Sequence, residues 1–408
     1  MNRCRGKSID IKPFSAFRCV FKRLKKKYKK KALCDRVELS RNNTSHGALF
    51  ASKNLHPKTQ IREGVYLMYP KDNTDNHDKS TEEIFIDHQR NGKARPWREK
   101  KITTISYYEL LHLLEFKKSS RVRDCGSVLE FNSDGENHLK LAKAYFCKSP
   151  LCSMCNWRRA MKHSSQTKQI VAEVVKRKPK ARWLFLTLTV RNAVDGDTLD
   201  QSLRDMSLGF NRLFKYKKVS KNLVGFMRAT EVTVNKKDGT YNQHMHVLMC
   251  VESSYFKNTD NYISAKQWRE LWQKAMKLNY SPVVHVQTVK AKNKKKSDLH
   301  SAIDETAKYP VKASDYLTDD QEHNLIVVKD LEKGLHRKRR IAYGGLLKEL
   351  HREFNLDDPE DGDLVKIGDE EEEIGEEAYR VVAYWNWQRE NYYLGSQNKK
   401  DSDEKGGK

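Results

Sequence analysis

No stretch of about 18 consecutive apolar residues occurs in the 408-residue chain, so no segment reads as a membrane span. The first residues are basic but lack a clean apolar core, so no secretory signal is indicated. Cysteine is sparse: eight residues, not spaced as a disulfide framework, which makes a reducing, cytoplasmic interior the expectation. No internal repeat is visible. Negative charge is outweighed, with 54 Asp and Glu against 79 Lys and Arg, a formal net charge of +25. That excess implies a polyanionic partner, nucleic acid rather than a membrane. The length allows two or three domains, and histidine, tryptophan and tyrosine are plentiful enough for a core despite the polar average.

The most informative segment is Gln243-His244-Met245-His246-Val247-Leu248-Met249-Cys250. On a strand, alternate side chains share a face, so His244 and His246 project together from backbones about 7 Å apart. The preceding run, 223–234, is also strand-like, and Asp238-Gly239 between them signals a type I′ hairpin. With those two residues as the loop, Lys237 pairs with Thr240 and Glu231 stands opposite His246, on the same face. An isolated His-x-His is more often a half-buried pair with hydrogen-bonded partners. Two imidazoles and a carboxylate together suit a divalent ion such as Mn²⁺ or Mg²⁺ with open positions for substrate.

A second cluster lies upstream. Cys147, Cys152 and Cys155 form C-x4-C-x2-C, and Cys125 sits in Asp-Cys-Gly. Four thiolates at such spacings can close a structural zinc site around a hairpin (Val128–Phe131, Leu139–Phe146), with His163 as the alternative fourth ligand. The competing reading is a set of free buried thiols.

The remaining pattern is mixed. Residues 66–95 read as loop, and Tyr107–Phe116 as helix. A central strand is expected at Trp183–Val190, and a helix at 197–216 capped by Asp197. A helix opened by a Ser264/Gln267 capping box follows, then a strand at Val283–Lys290, a helix at 298–317 and a last strand at Leu325–Lys329. The basic run 21–31 reads as a solvated or phosphate-contacting arm, and the acidic run 357–377 as a solvated tail. The implied regions are a basic N-terminal part (1–115), a cysteine-rich zinc module (116–170), a catalytic domain (175–335) and a basic-then-acidic C-terminal region (336–408).

In the expected helix 298–317, Glu305, Tyr309 and Lys312 are spaced i, i+4, i+7 and so share a face. A phenol with a pKa near 10 needs a strongly activated target, which a metal-bound phosphate provides. An ammonium nearby helps to hold the charge, and Glu305 could activate water. Pro310 should kink the helix just after Tyr309. Tyr316, two turns on, is the alternative or second nucleophile.

Taken in order, Phe185-Leu186-Thr187-Leu188-Thr189, His244-Met245-His246-Val247-Leu248 and Glu305-x-x-Lys308-Tyr309-x-x-Lys312 resemble the three motifs of rolling-circle replication initiators from small bacterial plasmids. These are single-tyrosine members of the HUH endonuclease superfamily. The four cysteines are similar to the pattern of that branch, and the resemblance covers about residues 120–330. It implies an α+β fold whose central antiparallel sheet, flanked by helices, sets the histidine pair opposite the tyrosine helix. It implies that His244 and His246 ligate a metal, Tyr309 nicks, Glu305 serves hydrolysis at termination and Lys312 stands beside the nucleophile. The implied partner is plasmid double-strand origin DNA with a hairpin nick site; a host polymerase extends the freed 3′ hydroxyl. Such initiators often act as dimers or with a host helicase, and no interface is legible here. The rivals are a mobilisation relaxase or single-strand transposase and, in another class, a non-catalytic zinc-dependent DNA-binding regulator. Relaxases typically carry the tyrosine near the N-terminus, ahead of the histidines.

Overall fold

The computed structural model describes residues 80–89, 91–134, 138–257, 259–289, 298–307, 311–358, 360–367 and 379–395. The basic run 21–31 lies outside them. In chain order the elements are β1 (Ser80–Ile84), α1 (Trp97–Leu113), α2 (Ser119–Arg123), β2 (Val128–Ser133), β3 (Leu139–Ala144) and α3 (Ser153–Arg177). Then come β4 (Arg182–Thr189), α4 (Gly196–Lys215), α5 (Lys217–Ser220), β5 (Leu223–Val234), β6 (Tyr241–Val251), α6 (Ala265–Met276) and β7 (Val284–Val289). The chain continues through α7 (Asp298–Thr306), α8 (Gln321–Gly334), β8 (Ile341–Gly345), α9 (Leu346–Glu353), β9 (Tyr379–Asn386) and β10 (Asn391–Gly395). The fold is α+β as expected, but with two antiparallel five-stranded sheets rather than one.

The second sheet, ordered β7-β4-β6-β5-β8, is the expected central sheet. The near-continuous apolar run of β4 lies inside it, where both faces are covered. On one face, Met245, Val247 and Met249 of β6 pack against α4 and α6 through Phe210, Trp268 and Trp272. On the other, Leu248 and Cys250 meet Ile170 and Val174 of α3, Ile303 of α7 and Leu347 of α9. His244 and His246 lie on this second face by alternation. Each large apolar side chain buried here contributes about 1.5–3 kcal/mol.

Local signals explain the element ends. α6 starts at the expected Ser264/Gln267 box. α4 starts at a box made by Asp195 and Thr198, two residues ahead of the expected cap. The run Leu325–Lys329 is helical, not a strand: it lies within α8, which Asp320 caps and whose buried Asn324, Val327, Val328 and Leu331 recur at helical spacing. The expected helix 298–317 stops at Thr306, ahead of Pro310, and residues 313–315 form a separate 3₁₀ turn.

The first sheet, ordered β1-β10-β9-β2-β3, contains the expected hairpin β2–β3. It also contains β1, from a segment expected to be loop, and the hairpin β9–β10, which follows the last strand expected from the sequence. β9 pairs with β2 from Val128↔Tyr384 to Ser133↔Tyr379, so the C-terminal part of the chain lies inside this sheet. Trp97, Tyr107, Leu111, Phe131, Trp157, Trp385 and Tyr392 form its core with α1 and the start of α3. The described part of the acidic run is not a solvated tail. Arg158 donates to the Leu364 and Val365 carbonyls, Arg159 to that of Glu360, and Lys162 pairs with Asp357 at 2.5 Å.

Candidate metal centres

The β5–β6 hairpin builds the histidine site. Its loop is four residues, 236–239, because the Asn235 N–H donates to the Thr240 carbonyl at 2.8 Å and Gly239, at φ +71°, donates back to Asn235. The Asp238 carboxylate accepts from the Thr240 N–H and hydroxyl instead of closing a two-residue turn. The register therefore differs by two residues from the expected one: Glu231 faces His244, and Ala229 faces His246. A shift of two keeps the face, so the three side chains still meet. Glu231 Oε2 lies 3.5 Å from His244 Nε2 and 3.2 Å from His246 Nε2, all three groups being about nine-tenths buried.

Both rings are aimed from behind. His244 Nδ1 lies 3.2 Å from both the carbonyl and side-chain oxygens of Asn242. A carbonyl only accepts, so Nδ1 donates there, which fixes the ring with Nε2 turned toward Glu231. His246 Nδ1 lies 3.2 Å from Thr187 Oγ1 on β4, and Phe185 stacks on its ring. Such outer partners fix ligand orientation. Asn242 and Thr187 were not singled out in the sequence, although each shares a strand face with the ligands. Burial pushes the Glu231 carboxyl up, but hydrogen bonds from His244 and His246 outweigh it and hold the group down at about 2. Cis ligands of an octahedral ion with bonds of roughly 2.1 Å stand about 3 Å apart, so one carboxylate oxygen and two imidazole nitrogens at these separations could hold a divalent ion.

The four expected cysteines also converge. Cys125 follows α2, Cys147 and Cys152 flank the loop after β3, and Cys155 is in the first turn of α3. All are buried, with Sγ separations of 3.5 Å (Cys125–Cys155), 3.6 Å (Cys125–Cys152) and 3.7 Å (Cys147–Cys155). Tetrahedral ligands 2.3 Å from a central ion stand about 3.8 Å apart, so this cluster could hold a metal. Backbone N–H groups of Cys147 and Lys148 donate to Cys125 and Cys155 sulfurs, as outer-shell groups do. Burial pushes the Cys125 thiol up, while Cys152 is held down against its burial by hydrogen bonds from its three neighbours. Beneath the cluster, the buried Lys101 ammonium donates to the Arg123 and Cys125 carbonyls and the Ser127 hydroxyl. Burial lowers it to about 8, with the cysteines opposing that fall. A fourth thiol is thus present and His163 is not needed. That ring sits apart, beside Arg159 and Arg340, and burial and those cations push it well below its usual range.

The segment expected to carry the nucleophile is described on both sides of Tyr309, which itself lies outside the described residues, as do Lys308 and Pro310. Glu305 is half-buried in the last turn of α7. Lys312 is exposed on extended backbone outside the helix, so the helical spacing that grouped it with Glu305 does not apply. Ala307 lines one small cavity with Ala229 and Thr230, and Asp315 accepts from the Val234 N–H at 3.5 Å. Tyr316 is 1% exposed, donates to the Leu151 carbonyl at 2.6 Å and packs edge-on to Tyr107. It is a core residue, and burial raises its pKa.

The model of the Rep_1 family, described as replication protein, matches residues 138–393. Over 315 residues the chain is 55% identical to Protein rep of Lactiplantibacillus plantarum, covering 76% of this chain and 99% of that protein. It is 61% identical over 234 residues to a replication protein of Staphylococcus aureus, covering 57% and 99%. Protein rep of Streptococcus pneumoniae is 42% identical over 319 residues, covering 78% and 97%. No solved structure matches. The family match spans both histidines, Glu231 and three of the four cysteines, and runs on into β10. The chain therefore belongs to the Rep_1 family of replication proteins and is a plasmid replication initiator.

Proposed function

We propose that this chain starts rolling-circle replication by nicking one strand of its plasmid's double-strand origin, at a phosphate exposed in a hairpin, and joining itself to the 5′ end. The observation that carries the reading is the convergence of Glu231, His244 and His246 on the sheet face against which α7 packs. Mn²⁺ or Mg²⁺ held there would supply Lewis-acid polarisation of a phosphate oxygen. The chain's own part is nucleophilic. The Tyr309 phenol oxygen bonds the phosphorus, the 3′ oxygen leaves with its electron pair and takes up a proton, and the 5′ phosphate stays on the tyrosine. The free 3′ hydroxyl then primes a host polymerase.

The flanking residues support Tyr309 in this role. Ala307, two residues before it, lies beside Ala229, the partner of His246, and two residues of chain reach at most about 7 Å. Asp315, beyond it, is tied to β5 three residues from Glu231. Glu305, one turn earlier on α7, would serve as the base that lets water release the product at termination. Lys312 would set an ammonium near the developing charge. The cysteine cluster, with four soft ligands and no open position, fits structural zinc.

The test is incubation with single-stranded origin DNA and Mn²⁺. We expect a covalent adduct that survives SDS, that disappears in Tyr309→Phe and that still forms in Glu305→Ala. Retarded but intact DNA in the wild-type reaction would instead identify a non-catalytic DNA-binding regulator.

A further inference from the structure

A cleft of about 430 Å³ opens between the cysteine loop and the segment joining α8 to β8. Seven lysine and arginine side chains line it against three carboxylates. Ion pairs neutralise part of this charge, Lys118 with Glu332 and Arg340 with Glu360. Lys338 and Arg339 pair with Asp200 and Asp358, and buried Arg159 is spent on the Lys148, Ser149 and Glu360 carbonyls, so among the described residues Lys148 and Arg337 are the cleft's two exposed cations without a carboxylate. Among the described residues Lys148 Nζ donates to the Asp361 carbonyl alone, at 2.6 Å. Arg337 is exposed and makes no side-chain hydrogen bond or ion pair with any described residue.

The same two residues have left-handed backbones, Lys148 at φ +55° and Arg337 at φ +52°. A side chain with a Cβ is strained there, and glycine is the residue that avoids the strain. At Lys148 the conformation is required, because its N–H must reach Cys155 Sγ, 3.2 Å away. Two long cations thus stand on one cleft where glycine would fold more easily. Backbone strain of this kind concentrates at functional sites. The cleft also shares Arg159, Arg340 and Glu360 with the smaller cavity that reaches Ala229 and Ala307.

We infer that this cleft seats the sugar-phosphate backbone of the DNA strand leading to the nick, with Lys148 and Arg337 as its phosphate contacts. The inference rests on the nicking reading for the nature of the ligand and adds the surface that holds it. A space of this size admits a few phosphodiester units of one strand, not a whole duplex.

The experiment uses the full chain and a fluorescent oligothymidylate of about 30 nucleotides, titrated at several salt concentrations. In Lys148→Gly/Arg337→Gly we expect affinity to fall about tenfold near 0.1 M salt and the slope of log K against log salt to flatten by about 1.4. The melting temperature should hold or rise, since glycine relieves both backbones. Asparagine at both positions, which also tolerates this conformation, should lower affinity alike, and Lys148→Arg should retain binding; binding kept by the asparagine variant would trace the glycine effect to the cysteine loop and overturn the assignment. Inorganic phosphate at matched ionic strength should not compete; competition would reveal a single-anion site and overturn the assignment. Unchanged affinity and slope in folded variants would also overturn it, while the Tyr309 adduct persists. A wild-type chain with no salt-dependent binding and no adduct would instead remove the parent reading.

Discussion

Glu231 is held by opposed forces: burial favours its neutral form, and the two imidazoles favour its charge. The second effect wins, so the folded carboxyl titrates at about 2, below its usual 4.5. A depressed carboxyl pKa stabilises the fold above the unfolded value and loses that contribution as pH falls through the folded one. Without added divalent ions, urea unfolding of the wild type should therefore weaken between about pH 4.5 and 2 more steeply than that of Glu231→Gln. Parallel pH profiles for the two proteins would show that the carboxylate is not engaged by the histidines. Much of this site was readable before any coordinates. Period-two alternation places His244 and His246 together whatever the sheet does around them. What the sequence could not give was the pairing. Asp238-Gly239 looks like a two-residue turn, yet Asp238 spends its carboxylate on Thr240, an interaction set by side-chain geometry rather than residue type. The tyrosine was ambiguous for another reason. Tyr309 sits in the Glu305-x-x-Lys308-Tyr309-x-x-Lys312 pattern, whereas the burial of Tyr316 against Leu151 and Tyr107 is set by distant parts of the chain that local sequence does not show.

Among the elements, those with strong local punctuation were the legible ones. α6 has its capping box and β4 its apolar run, and both fall within a residue or two of expectation. Leu325–Lys329 misleads because a short β-branched run reads equally as a buried strand or a buried helix turn. The arbiter, the cap at Asp320, lies outside the run. The cysteine cluster is a different case, since spacing identifies the ligands but not what they join. It ties the end of α2, the loop after β3 and the start of α3. If a metal holds these three together, a strong chelator should release it and lower the melting temperature by about 10 °C or more, several kcal/mol in a protein of this size. Cys125→Ser should do the same. Melting that ignores the chelator, with no metal in the released fraction, would mark the cluster as free thiols.

At the scale of the whole molecule, the C-terminal hairpin was the least legible part, because its partners are some 250 residues away. The stretch Tyr379–Gly395 is rich in β-branched and aromatic residues, but nothing local says that β9 goes beside β2. Its burial of Ala383, Trp385 and Tyr392 makes it integral to the first sheet. Ending the chain at residue 378 should therefore cost far more than the about 3–5 kcal/mol of one lost aromatic. Limited proteolysis should then cut within β2 and β3. A truncated chain that melts and digests like the full one would contradict that pairing.

The two sheets are joined by α3, whose 25 residues contain neither proline nor glycine and extend about 37 Å. Its first turn holds Cys155, its middle holds Ser164 against Asp304 of α7, and its last turns reach the core under β6. An unbroken rod of this kind resists bending, so the cysteine cluster at its first turn and the Ser164–Asp304 contact at its middle keep a fixed spacing along one axis.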